Sequence, residues 1–134
     1  MLDDLIGIKH LETFKVEITH PATGQVIRDK DGKAAHIEVY SANSERAQEW
    51  LRSEFKRRER IKGYKSTPET DREMNDQFLT HLTANWHLFN VKTGKPLPFS
   101  VDEAFNLYSS PGDNFIRRQV NDAAQEASNF FPEG

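Results

Sequence analysis

Histidines, carboxylates and one run of cations are the side chains in this 134-residue chain with the capacity for chemistry. The histidines are His10, His20, His36, His81 and His87. No two stand i, i+4, the spacing that puts two imidazoles on one helix face for a metal, and no HExxH occurs. Glu69, Asp71, Glu73 and Asp76 crowd one stretch. A catalytic carboxylate pair needs one partner whose pKa is raised by an apolar setting, and the sequence offers none here. They read instead as acids at the start of a helix, where the dipole favours them. Asp29-Lys30-Asp31-Gly32 has a faint look of a calcium loop, but the later acidic ligands and the glutamate at the twelfth position are missing. It reads as a turn. There is no GxGxxG, no GxxxxGK[ST] and no GxSxG. With no cysteine, a thiolate nucleophile, a disulfide and every Cys-containing zinc site are excluded. The expectation is no catalytic residue, no metal site and no cofactor: a protein that is not an enzyme.

Two features suit binding. The first is Lys56-Arg57-Arg58-Glu59-Arg60-Ile61-Lys62, followed by Lys65. Such a run suits a solvated helix C-terminus, where cations complement the dipole and their stems shield apolar surface. It equally suits contact with an acidic partner helix, or with nucleic acid. Nucleic acid is the weaker of the two, because no aromatics are interleaved and the chain as a whole is acidic. The second is Phe130-Phe131. Two adjacent phenylalanines on a helix cannot face the same way, so one anchors the chain end and the other is offered to a partner. The candidate partner-binding residues are therefore Lys56, Arg57, Arg58, Arg60, Lys62, Phe130 and Phe131.

The elements that hold these residues belong to a modest domain. Apolar residues make up 36% and charged residues 29%, with a net charge of −3. That balance predicts a small core under a very polar surface, with no global field for nucleic acid or anionic lipid. Charge is segregated: residues 41–65 carry 8 basic and 4 acidic side chains, and residues 101–134 carry 2 and 6. The apolar runs are too short to span a bilayer, and Met1-Leu2-Asp3-Asp4-Leu5 lacks the basic start and apolar core of a signal peptide. A cytosolic chain without a membrane partner is expected.

Phe14, Val16 and Ile18 alternate with Lys15, Glu17 and Thr19, the period of a half-buried strand. Pro21-Ala22-Thr23-Gly24 turns the chain, Gln25-Val26-Ile27 reads as a second strand, and Ile37 and Val39 as a third. Asn43 or Ser44 caps a helix with the stripe Ala47, Trp50, Leu51, Phe55 and Ile61, stopped by Gly63. Thr67-Pro68 opens a second helix, whose stripe Met74, Phe78, Leu82, Trp86 and Phe89 predicts that it runs to about residue 89. Ser100-Val101-Asp102-Glu103 is a capping box for a short third helix, and Ser110-Pro111 starts a fourth, carrying Phe115, Ile116, Val120, Ala123, Ala124 and Ala127. The expected fold is α+β: one domain over 1–134, with an antiparallel β-meander at 11–40 and four helices making 43–131 mainly helical. The sheet is expected to cover Trp50, Leu51 and Phe55. Substituting Trp50 or Trp86 by alanine then costs about 3–5 kcal/mol if those rings are buried.

The C-terminal half adds a pattern. Trp86-His87-Leu88 is followed by Gly94-Lys95-Pro96-Leu97-Pro98-Phe99-Ser100, then Ala104, Leu107-Tyr108, Phe115-Ile116-Arg117-Arg118-Gln119-Val120 and Asn129-Phe130. Across residues 78–131 this resembles the tail assembly chaperones of long-tailed, siphovirus-type bacteriophages. The resemblance implies a non-enzymatic protein of the bacterial host's cytoplasm. Such a chaperone binds and solubilises the tape measure protein, helps recruit tail tube subunits, and leaves before the virion is complete. Self-association, as a homo-oligomer, and a longer frameshifted product are further expectations. The alternatives are another phage morphogenesis or adaptor protein, such as a head–tail connector component, and a small nucleic-acid-binding regulator using residues 56–65.

Overall fold

A computed structural model describes residues 6–132; the acidic Met1–Leu5 start lies outside them. The strands are β1 (Thr13–Glu17), β2 (His36–Tyr40), β3 (Thr83–Phe89) and β4 (Pro96–Leu97). The helices are α1 (Glu45–Glu59), α2 (Pro68–Leu82), α3 (Val101–Ser109) and α4 (Phe115–Gln125), followed by a 3-10 turn at Ala127–Phe130. The class is α+β, as expected.

The four strands form one antiparallel sheet in the order β1-β2-β3-β4. Register sets Val16 opposite Ile37 and Ile37 opposite Trp86, so the alternating apolar positions share a face. Helix α4 lies on β1 and β2 through Val120 and Ala124, and Phe130 closes that layer against Phe14 at 6.0 Å between ring centroids. Ile18, Ile37, Val39, Leu79, Leu82, Tyr108, Val120 and Phe130 are the largest fully buried side chains.

The sheet differs from the expected meander in where its strands come from. Gln25-Val26-Ile27 is no ladder strand: single bridges, Thr19 to Val26 and Arg28 to Ala34, hold this stretch. The missing pairing comes from further along. Helix α2 stops at Leu82, and the chain passes directly into β3 without a glycine or proline between. Thr83 makes the switch. Its backbone is extended (φ −83°, ψ 120°), and its hydroxyl donates to the Leu79 carbonyl, one of those left open at a helix end. Beyond it Thr83, Asn85, Trp86 and Phe89 are weak helix formers, three of them types favoured in strands. The helical spacing of Leu82, Trp86 and Phe89 concealed this; in the strand Phe89 lies beside His87, on the face opposite Trp86.

The helices also pack differently from the expectation. Helix α1 rests on α2 rather than on the sheet. Ala47 is buried, and the Trp50 ring lies between Phe78 (5.7 Å) and His81 (5.9 Å). Trp50, Leu51 and Trp86 are half-buried, while Phe55 and Ile61 are exposed. Ser44, not Asn43, caps α1, and Thr67 caps α2 with Thr70 reciprocating. Ser100 accepts the Glu103 N–H at 3.0 Å. Ser110-Pro111 does not open α4. Gly112 (φ +88°) turns the chain first, and Asn114 caps the helix by accepting from Arg117 N–H while its amide donates to the Leu107 carbonyl at 2.7 Å. One side chain thereby ends α3 and begins α4.

Candidate partner-binding surface

The cationic run falls on the last turns of α1 and the turn after it. Its members part company there. Arg57 and Arg58 both pair with Glu54, one turn back, with Arg58 Nε at 3.0 Å. Arg57 hydrogen bonding holds the Glu54 carboxyl below the usual range, against the opposing effect of burial and with help from Arg58. Arg58 also donates to the Tyr64 hydroxyl and lies 5.4 Å over that ring. Gly63 at φ +78° permits the reversal that brings Tyr64 back. At 8% exposure, Arg58 is a buried bracket of the helix end and is unavailable to a partner, which corrects its reading as a contact residue.

Lys56, Arg60, Lys62 and Lys65 are exposed, and none has an acidic partner among the described residues. Beside them opens a cleft of about 450 Å³, lined by Phe55, Ile61, Tyr64 and Met74, with Glu59 and Asp71 also on its wall. Phe55 is 55% exposed and Ile61 44%. The sequence placed both in the core because they fall on the helical stripe. Phe55 stands five residues past Trp50, about 140° round the helix, and Ile61 lies beyond the helix end, so the contact that Ala47 and Trp50 make leaves both open. The signal for this was Phe55 itself, which stands within Glu54-Phe55-Lys56-Arg57-Arg58.

The two terminal phenylalanines separate. Phe130 is 1% exposed, and its carbonyl accepts the Leu11 N–H at 2.7 Å. It is a core residue, which corrects its reading as a partner contact. Phe131 is at the surface, edge-on to His10 at 5.0 Å between centroids. No hydrogen bond, ion pair or ring contact joins this end to the cationic segment among the described residues.

Other polar clusters have structural partners. Only Glu69 and Asp71 lie in the first turn of α2; Asp76, in its middle, is 3% exposed and accepts from Arg117 of α4, with Arg72 at 3.4 Å. Asp29 caps its own turn by accepting the Asp31 and Lys33 N–H groups, and its other oxygen meets His87 Nε2 at 2.8 Å. The His87 hydrogen bond lowers the Asp29 pKa, with the Lys33 N–H adding to it. Nothing in the spacing of Asp29 and His87 signals that a turn residue reaches β3. A second cleft, of about 740 Å³, lies among α1, α2 and the start of α3, with Trp50, His81 and Phe105 on its walls. No group of three or more metal-ligating side chains is assembled among the described residues. No described helix is long and apolar enough to cross a membrane.

No protein-family model, curated protein or solved structure matches the chain.

Proposed function

We propose that this chain is a tail assembly chaperone of a long-tailed bacteriophage. It binds the tape measure protein, keeps it soluble, and helps recruit tail tube subunits. The observation that carries the reading is the residue pattern across 78–131, from Trp86-His87-Leu88 to Asn129-Phe130. The surface supports it. A carrier of long amphipathic helices requires exposed apolar clefts with charge beside them, and the end of α1 offers one. In this reading the protein works in the host cytoplasm, without catalysis or cofactor, and is absent from the finished particle.

The test is co-expression with the tape measure protein encoded beside it, followed by pull-down and light scattering. The expected result is a soluble, defined complex that is lost when this chain is omitted. Aggregation of the tape measure protein in both cases removes the reading. Recovery of this chain in purified virions favours a head–tail connector component instead. A nucleic-acid regulator has one observation of its own: Lys56, Arg60, Lys62 and Lys65, four cations with no acidic partner among the described residues. It requires duplex binding that weakens steeply between about 50 and about 200 mM salt.

A further inference from the structure

While Ala47 and Trp50 of the α1 stripe pack inward, Phe55 on α1 and Ile61 in the turn after it are large apolar side chains left open. They face one cleft with Met74 of α2 and the ring of Tyr64. That cleft has helices on its flanks and no strand edge, so it suits a docked helix rather than an added strand. Its charge is unbalanced. The wall itself carries Glu59 and Asp71, and its one cation, Arg58, is already engaged by Glu54. The segment that borders the wall carries Lys56, Arg60, Lys62 and Lys65, four cations against those two carboxylates, and none of the four has an acidic partner among the described residues. We propose that this cleft is the docking site for an amphipathic helix with apolar anchors one turn apart and acidic residues along its flanks. The anchors sit on Phe55, Ile61 and Met74, and the acids reach outward to the four cations. Identifying that helix as a segment of the tape measure protein rests on the function proposed above; the chemistry of the cleft does not. Nucleic acid fits less well: Phe55 offers a base one exposed ring, but Ile61 and Met74 add aliphatic surface that suits the apolar anchors of a helix and not a base or a phosphate.

Two experiments separate the cleft from the wider reading. In the first, an isotope-labelled sample of the whole chain is titrated with a synthetic helix of about 18 residues bearing leucines at i, i+3, i+4 and i+7 and glutamates elsewhere. A copy with lysines in place of the glutamates and a DNA duplex serve as comparisons. Saturable amide shifts confined to residues 55–74 are expected with the acidic peptide. The double variant Phe55→Ser/Ile61→Ser and the triple variant Lys56→Glu/Arg60→Glu/Lys62→Glu should each weaken it about tenfold or more. Val91→Ser, at an exposed turn elsewhere, should leave binding unchanged. The altered side chains are exposed, so all variants should keep the wild-type circular dichroism melt. No saturation by about 1 mM, equal binding of the lysine peptide, or tighter binding of the duplex overturns the proposal.

In the second, the same variants are co-expressed with the tape measure protein. Loss of the soluble complex in both cleft variants supports the proposal. Full solubilisation by those variants overturns the cleft as the tape measure site and leaves the chaperone reading standing. Failure of the wild type itself removes the chaperone reading, and the peptide titration alone then decides for or against the cleft.

Discussion

Tyr108 has one outlet for its phenol. The ring is fully buried, and its oxygen lies 2.7 Å from the Thr83 hydroxyl, which has already given its own proton to the Leu79 carbonyl at 2.8 Å. Tyr108 therefore donates and Thr83 accepts. Removing the two hydroxyls should have unequal costs. Tyr108→Phe deletes a donor and leaves Thr83 bonded to Leu79, a loss of about 0.5–1.5 kcal/mol. Thr83→Val leaves the buried phenol with no partner and opens the Leu79 carbonyl, costing about 1–3 kcal/mol. Urea melts of the two variants check the order. Burial pushes the Tyr108 pKa from 10.0 up to about 12, so the folded state holds a proton that the unfolded chain releases first. The Tyr108 contribution to stability should be level below pH 10 and fall as pH rises from 10 towards 12; Tyr108→Phe should flatten that decline. His81 gives the acid-side counterpart. Burial first, then Arg46, lower its pKa below the usual 6.5, and its ring is stacked on Trp50. Its contribution to stability is present above pH 6.5 and is lost as pH falls through the lowered value. In a Trp86→Phe background, Trp50 fluorescence should change with a midpoint below 6.5. A midpoint at or above 6.5 contradicts the burial of that imidazole.

At the scale of elements, α1 is a helix of two halves. Its first half carries Ala47 and Trp50 against α2, and its second half ends at the exposed Phe55 and the Arg58–Tyr64 bracket. Because Trp50 is only half-buried, Trp50→Ala should cost about 2–3 kcal/mol, below the cost of a fully buried ring. Phe55→Ser should stay within about 0.5 kcal/mol of wild type. Equal losses for the two in thermal melts refute the division. The same helix shows how far the sequence could be read. Period and caps located the start of α1 at Asn43 or Ser44, α2 at Thr67 and α3 at Ser100, because capping is a local hydrogen bond between residues three apart. They could not reveal that α2 yields to β3 at Thr83, where strand propensity acts together with pairing to Val39, which lies far back in the chain. The cationic segment was legible as a candidate surface, but its internal division was not. Arg58 and Lys56 look alike in the sequence, and only the turn at Gly63 decides that one is buried under Tyr64 and the other is free.

Across the whole molecule, the sheet is built from distant parts of the chain. β1 and β2 come from before residue 41, β3 and β4 from after residue 82, and α1 and α2 fill the interval. Helix α4 then returns to the first two strands. Gln119 accepts the Thr19 N–H and donates to the Thr19 carbonyl, both at 2.9 Å, and Ala42 N–H donates to the Ala124 carbonyl at 2.8 Å. Long-range pairing of this kind favours slow, cooperative folding. Phe130→Ala should cost about 3–5 kcal/mol while far-ultraviolet circular dichroism and tryptophan fluorescence still report one coincident transition. Separate transitions contradict the single core.

The Leu11–Phe130 hydrogen bond sets the two ends of that core side by side, with His10 against Phe131 just outside it. The order in which the strands are synthesised is therefore not essential to the architecture. A circularly permuted gene that joins the old ends through a short glycine linker and opens new ones at the exposed Lys92–Thr93 tip should yield the same fold, because that tip carries no core side chain. Opening the chain between Leu82 and Thr83 should not, because the helix-to-strand switch there has no slack to lose.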